Sequence, residues 1–142
     1  MNELHSNTKH TRVVGPVAIG ANATLSGKVI DRQGYGGVEF LAAYGAIATT
    51  GTVCTLVVKE GDATGSMTSV ADADLLGTEA LASRLGGATT SGVGANVAKR
   101  VGYRGIKRYV TCDVVKTGTT SVGCVSVNAL MFSPETAPVS NP

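Results

Sequence analysis

The stretch that decides the fold is Ile106-Lys107-Arg108-Tyr109-Val110-Thr111-Cys112-Asp113-Val114-Val115. From Tyr109 onward it alternates cleanly, with Val110, Cys112 and Val114 on one face and Tyr109, Thr111 and Asp113 on the other. A period of two is the mark of a strand with one buried side. After the turn Lys116-Thr117-Gly118-Thr119-Thr120, the segment Ser121 to Leu130 resumes the pattern. The pair is expected to form a β-hairpin.

Working outward, further short apolar runs are separated by turn residues: Asn96 to Tyr103, Thr52 to Lys59, Gly37 to Tyr44 and, more weakly, Leu25 to Asp31. Val13 to Ile19 contains Pro16, which suits a sheet edge because proline cannot donate to a ladder. Seven or eight short strands without βαβ alternation predict an all-β, single-domain sandwich or jelly-roll-like barrel. The stretch Glu60 to Glu79 reads as irregular, with at most a helical turn at Asp72 to Glu79, and Gly86 to Gly94 reads as a mobile loop. Residues 1–12 read as a flexible N-terminal arm, 13–132 as the domain and 133–142, with three of the four prolines, as an extended tail.

Composition agrees. The chain has 142 residues, enough for one hydrophobic core. Its 19 glycines are about twice the average usage of roughly 7%, and Trp is absent. Valine and threonine suit a pleated surface and glycine suits tight turns. No run of 18 apolar residues is present, so no membrane span is expected. The polar start Met1-Asn2-Glu3-Leu4-His5 has no apolar h-region, so no secretory signal is expected. Cys54, Cys112 and Cys124 are then expected to be reduced, buried thiols of a protein made in a cytoplasm.

Catalytic chemistry finds little to work with. His5 and His10 fall in the arm, where neither can be held rigidly beside a nucleophile. The cysteines never form C-x-x-C, and Asp72-Ala73-Asp74 with Gly77 and Glu79 misses the spacing of an EF-hand calcium loop. Gly34-Tyr35-Gly36-Gly37 and Gly92-Val93-Gly94 lack the Gly-Lys-Ser/Thr of a phosphate cradle. The expectation is no catalytic site, no metal and no cofactor.

Charge is the feature that remains. From Lys99 to Lys116 six bases (Lys99, Arg100, Arg104, Lys107, Arg108 and Lys116) face one acid, Asp113. From Glu60 to Glu79 five acids (Glu60, Asp62, Asp72, Asp74 and Glu79) stand without a base. A net charge of +2 therefore hides two opposed patches. They can neutralise each other within one fold, or face another subunit, where complementary charge sets register and partner choice. Tyr103 and Tyr109 interleave the basic strand as stacking residues would, but the acidic stretch argues against a nucleic-acid partner.

Three of these segments, Tyr35-Gly36-Gly37-Val38-Glu39-Phe40, Val70-Ala71-Asp72-Ala73-Asp74-Leu75-Leu76-Gly77 and Gly102-Tyr103-Arg104-Gly105-Ile106-Lys107-Arg108-Tyr109-Val110, carry a resemblance. They resemble the small cement, or decoration, proteins of tailed-phage capsids, such as that of a Bordetella podovirus. The resemblance implies a jelly-roll-like fold and a homodimer bound to the outer surface of an HK97-type shell, with the major capsid protein as partner. It implies a virion protein, not an enzyme, made in the bacterial host cytoplasm. Candidate partner contacts are Lys9 and Arg12 of the arm, Asp72, Asp74 and Glu79, and Lys99, Arg100, Tyr103, Arg104, Lys107 and Arg108. Two alternatives stay open: a tail or head-completion protein, and a carbohydrate-binding β-sandwich, which the scarcity of aromatics disfavours.

Overall fold

The computed structural model describes residues 3–19, 22–46, 52–84, 96–118, 123–137 and 139. Six longer strands carry the fold: β1 (Thr8–Ile19), β4 (Tyr35–Tyr44), β5 (Val53–Ala63), β8 (Val97–Tyr103), β9 (Tyr109–Thr117) and β10 (Gly123–Pro134). Four short ones complete it: β2 (Ala23–Leu25), β3 (Ile30–Asp31), β6 (Ser66–Ser69) and β7 (Leu75–Leu76). The described helical structure is a 3-10 turn at Asp72–Asp74 and the single-turn helix α1 (Glu79–Ala82).

These strands build two antiparallel sheets. One runs β1-β10-β4-β8-β7; the other runs β2-β9-β5-β6, with β3 also pairing β9. Their inner faces meet in one core of small and β-branched side chains. Val110, Cys112 and Val114 of β9 and Val125, Val127 and Ala129 of β10 lie in it, together with Phe40 and Leu56. Each such large apolar side chain contributes roughly 1.5–3 kcal/mol on burial. The all-β sandwich expected from the sequence is what the chain forms.

The expected β9–β10 hairpin is not formed. β9 pairs β5, β2 and β3, whereas β10 pairs β1 and β4, so the chain crosses from one sheet to the other. Alternation specifies a buried face, and two consecutive strands can satisfy it by facing each other as well as by lying side by side.

Both expected tails are also more regular than the sequence suggests. β1 begins at Thr8, and Thr8 to Arg12 pair with Phe132 to Asn128. β10 runs to Pro134, and the Val139 N–H donates to the Ser6 carbonyl at 2.9 Å, tying the two ends together. Pro16 sits at an edge as expected, inside a register irregularity between Val14 and Val17. The acidic stretch is largely strand: β5 continues through Ala63, and Lys59 and Glu60 pair with Ser69 and Thr68 of β6. The expected loop Gly86 to Gly94 lies outside the described residues.

Two devices close the sandwich. The β2–β3 connection fills the seam between the sheets: the Lys28 N–H donates to the Val13 carbonyl at 2.9 Å, and the Gly27 N–H donates to Asp113 Oδ1 at 2.8 Å. Gly27 is required there, because a Cβ would collide with the Cys112 carbonyl oxygen and reach within 2.7 Å of Val13. Residues 78–84 cover the part of the β5 edge that β6 does not pair. Backbone N–H groups of Leu56 and Cys54 donate to Ser83 Oγ and the Arg84 carbonyl, both at 2.8 Å. Side chains and a short helix here replace a neighbouring strand, which blunts an edge open to unwanted pairing.

Candidate partner-contact surface

The basic segment starts on β8 and continues through the loop 104–108 into β9. Its charges are in large part answered within the fold. Lys107 Nζ lies 2.5 Å from Asp62 Oδ2, and Arg108 grips Asp31 with two bonds, Nη2–Oδ2 at 2.7 Å and Nε–Oδ1 at 3.0 Å. The Arg108 hydrogen bond holds the Asp31 carboxyl below its usual range. Arg104 binds the acidic segment through main-chain oxygens, its N–H to Asp74 at 2.9 Å and its Nε to Ala73 at 3.0 Å. Of the two sequence-level accounts of the opposed patches, mutual neutralisation describes Lys107 and Arg108. Arg104 retains its charge without a carboxylate partner among the described residues.

Three of the expected contact residues, Tyr103, Glu79 and Lys99, are instead engaged within the fold. Tyr103 is buried, its hydroxyl donating to Glu60 Oε2 and accepting from the Lys107 N–H at 3.0 Å. Burial and the Glu60 carboxylate push this phenol up to about 12. Glu79 accepts the Val58 N–H at 2.5 Å, so it caps the β5 edge, and burial raises its carboxyl pKa. Lys99 sits on the inward parity of β8 and donates to the Ser83 carbonyl at 2.5 Å. Position on a strand decided the outcome for Lys99 and Tyr103, since odd residues of β8 face the core.

The others lie on the surface. Arg12, Asp72, Arg100, Arg104 and Arg108 are exposed, and Lys9, Asp74 and Lys107 are half-buried. They do not form one cluster. Lys9 lines a groove of about 400 Å³ beside Tyr35, Pro134 and Val139, where the two chain ends meet. Arg100 reaches Glu39 at 3.6 Å across the outer face of the first sheet. There, burial holds the Glu39 carboxyl above its ordinary range, with Arg100 pulling back against it.

That outer face is the surface the sequence reading missed. β4 is apolar on both parities, so while Val38, Phe40 and Ala42 fill the core, Leu41 and Ala43 face out. Beside them lie Leu130 of β10, Ala98 of β8 and, 47% exposed, Leu76 of β7. At one end of the face a groove of about 440 Å³ opens between Pro16, Ala43, Ala98 and Cys124. Cys124 is exposed there, correcting the expectation of three buried thiols; Cys54 and Cys112 are buried. The available signal was the loss of alternation in Phe40-Leu41-Ala42-Ala43.

Among the described residues no group of three or more His, Cys, Asp or Glu side chains is placed to hold a metal ion. No described helix is long and apolar enough to cross a membrane.

No model of a known protein family matches the chain, and no curated protein matches it by sequence. Solved structures resemble it to differing degrees. The infectious bursal disease virus Gx strain structure matches 92% of this chain at 8% identity and a TM-score of 0.51, over 34% of its own chain. The CBM22-1–GH10 modules of Clostridium thermocellum endo-1,4-β-D-xylanase, solved with xylohexaose, match 96% of this chain at 9% identity and a TM-score of 0.48, over 28% of theirs. The SPBc2 prophage-derived protein YomS matches 93% of this chain and 100% of its own at 16% identity and a TM-score of 0.40. This chain thus spans about a third or less of the first two structures. The bursal disease virus match shows a shared fold and nothing further.

Proposed function

We propose that this protein is a structural virion component that decorates and cements an HK97-type capsid shell, bridging neighbouring major capsid protein subunits as a homodimer and catalysing nothing. The observation that carries the reading is the outer face of the β1-β10-β4-β8-β7 sheet. Its middle, Leu41, Ala43, Ala98 and Leu130 with Leu76 beside them, is small and apolar, bordered by His10, Arg12, Ser126 and Asn128 and crossed by one loose ion pair, Glu39–Arg100. Contiguous exposed apolar surface of this kind marks a face that another protein covers. Support also comes from where the three phage-like segments lie. Tyr103 pairs with Val38 on one side and Leu75 on the other, so they form one continuous patch at the β7 end of that sheet.

Cementing is adhesion in two places at once. A dimer that has docked one half presents the second to its site at an effective concentration of about millimolar. Interfaces of roughly 800 Å² per partner then suffice to resist outward pressure on the shell. β1 is the longest sheet edge in the described fold and carries no strand on its far side, which makes it the natural seam for a two-fold pair.

The test is decoration in vitro. Purified protein is mixed with expanded shells that lack it, and copies per particle are counted by cryo-EM and quantitative gels. Hundreds of copies outside the shell are expected. Six or twelve copies would move the protein to the tail axis, and binding on a glycan array with bare shells would replace cementing by carbohydrate recognition.

A further inference from the structure

The loop 104–108 combines two properties that the fold itself does not require. Ile106 at its tip is 94% exposed, the most exposed large apolar side chain described. Yet the backbone that presents it is held from several sides. Arg32 Nη1 donates to the carbonyls of Gly105 at 2.5 Å and Lys107 at 3.1 Å, and the Arg32 N–H donates to the Arg108 carbonyl at 3.0 Å. The Arg32 guanidinium also lies 5.4 Å from the centre of the Tyr103 ring, whose hydroxyl takes the Lys107 N–H. Gly105 packs against that ring so closely that a Cβ would collide with the hydroxyl. An apolar side chain fixed in water by this much scaffolding has met its ordering cost during folding, which favours later docking.

We infer that Ile106 is a docking knob that enters an apolar pocket on a protein partner, with a carboxylate at the pocket rim to take Arg104. The inference rests on the cement reading and makes the partner the outer surface of the shell. Charge selects this occupant. Lys107 and Arg108 already hold Asp62 and Asp31, so the rim of the knob is near neutral apart from Arg104. A lipid headgroup layer or a phosphate backbone would bind through a cluster of unpaired cations, and Asp31 and Asp62 would repel it. A single rigid aliphatic anchor beside one arginine instead has the make-up of a protein–protein hot spot.

The experiment measures shell binding by quantitative co-sedimentation for the wild type, Ile106→Val, Ile106→Asp and Arg104→Glu. Ile106→Asp is expected to weaken binding about 10- to 100-fold and Ile106→Val about fivefold or less. Arg104→Glu should weaken it about tenfold and flatten its salt dependence. The Ile106 variants should unfold at the wild-type temperature, since that side chain is exposed, and Arg104→Glu, which loses the Nε bond to Ala73, within a few degrees of it. Wild-type binding by Ile106→Asp overturns the knob and leaves the cement reading standing; no shell binding by the wild type overturns both. Unchanged binding by Arg104→Glu overturns the carboxylate rim. Ile106-dependent sedimentation with phosphatidylserine vesicles, in the absence of shells, overturns the choice of a protein partner.

Discussion

Asp113 and Glu39 occupy equivalent places, each mid-strand on the outward parity of its sheet, and the fold treats them oppositely. Asp113 is 5% exposed, pairs with Lys59 at 2.7 Å and accepts the Gly27 N–H. Glu39 has one distant partner, Arg100 at 3.6 Å, and that arginine is itself exposed. The β2–β3 connection, in the seam between the sheets, finishes the surroundings of Asp113, whereas the outer face of the first sheet stays bare around Glu39. A surface that a domain finishes internally serves stability. One left apolar and loosely charged is available for assembly.

The largest expected difference between the faces is chemical access. Cys124, on the bare face, should react with a thiol reagent at least about a hundredfold faster than Cys54 or Cys112, whose modification requires the sandwich to open. Burial also raises the pKa of both buried thiols, which lowers their thiolate fraction. Docking of the bare face on a shell should slow Cys124 towards the buried pair, whereas docking through the opposite sheet would leave its rate unchanged.

Removing the internal finish should be costly for folding. Asp113→Ala strands the Gly27 N–H and Lys59, and is expected to destabilise by about 3 kcal/mol in urea unfolding. Gly27→Ala forces the β2–β3 connection off Cys112 and Val13, at about 2 kcal/mol. Neither should change the m-value by much if the sandwich unfolds in one step.

The smallest effect belongs to Glu39, and its sign is opposite. Desolvation raises its carboxyl pKa above the 4.5 of the free group, so the ionised form costs the folded state stability at neutral pH. That cost disappears as pH falls through the raised pKa towards 4.5. Glu39→Gln should therefore stabilise the isolated protein near pH 7 by less than about 1 kcal/mol, with the gain fading as pH falls through the raised pKa and gone below about pH 4.5. A loss of stability at pH 7 would mean that the Arg100 pair outweighs desolvation.

Much of this was legible in the chain. The alternation of Val110, Cys112 and Val114 correctly identified the core-facing side of β9, although Thr111 and Asp113 on the other side are buried too, and Pro16 correctly marked an edge. The contact residues were less legible, because a charge count along Lys99 to Arg108 ignores direction. Lys99 and Tyr103 share a parity that faces in, Arg100 faces out, and only strand register separates them. Glu79 looked like a surface acid because no local pattern shows that β5 leaves the Val58 N–H uncovered by a strand. Ile106 escaped notice for a similar reason: in sequence it continues a strand, and only Arg32, distant in the chain, turns that segment into a rigid loop.

By itself the sequence determined that this chain is all-β, with one core and a known core-facing side for β9, because side-chain polarity reports directly on contact with water. Only the tertiary structure decided which strands pair, that β9 and β10 belong to different sheets, and which outer face stays bare. Strand pairing is made by backbone groups common to every residue, so no side chain records the choice of neighbour.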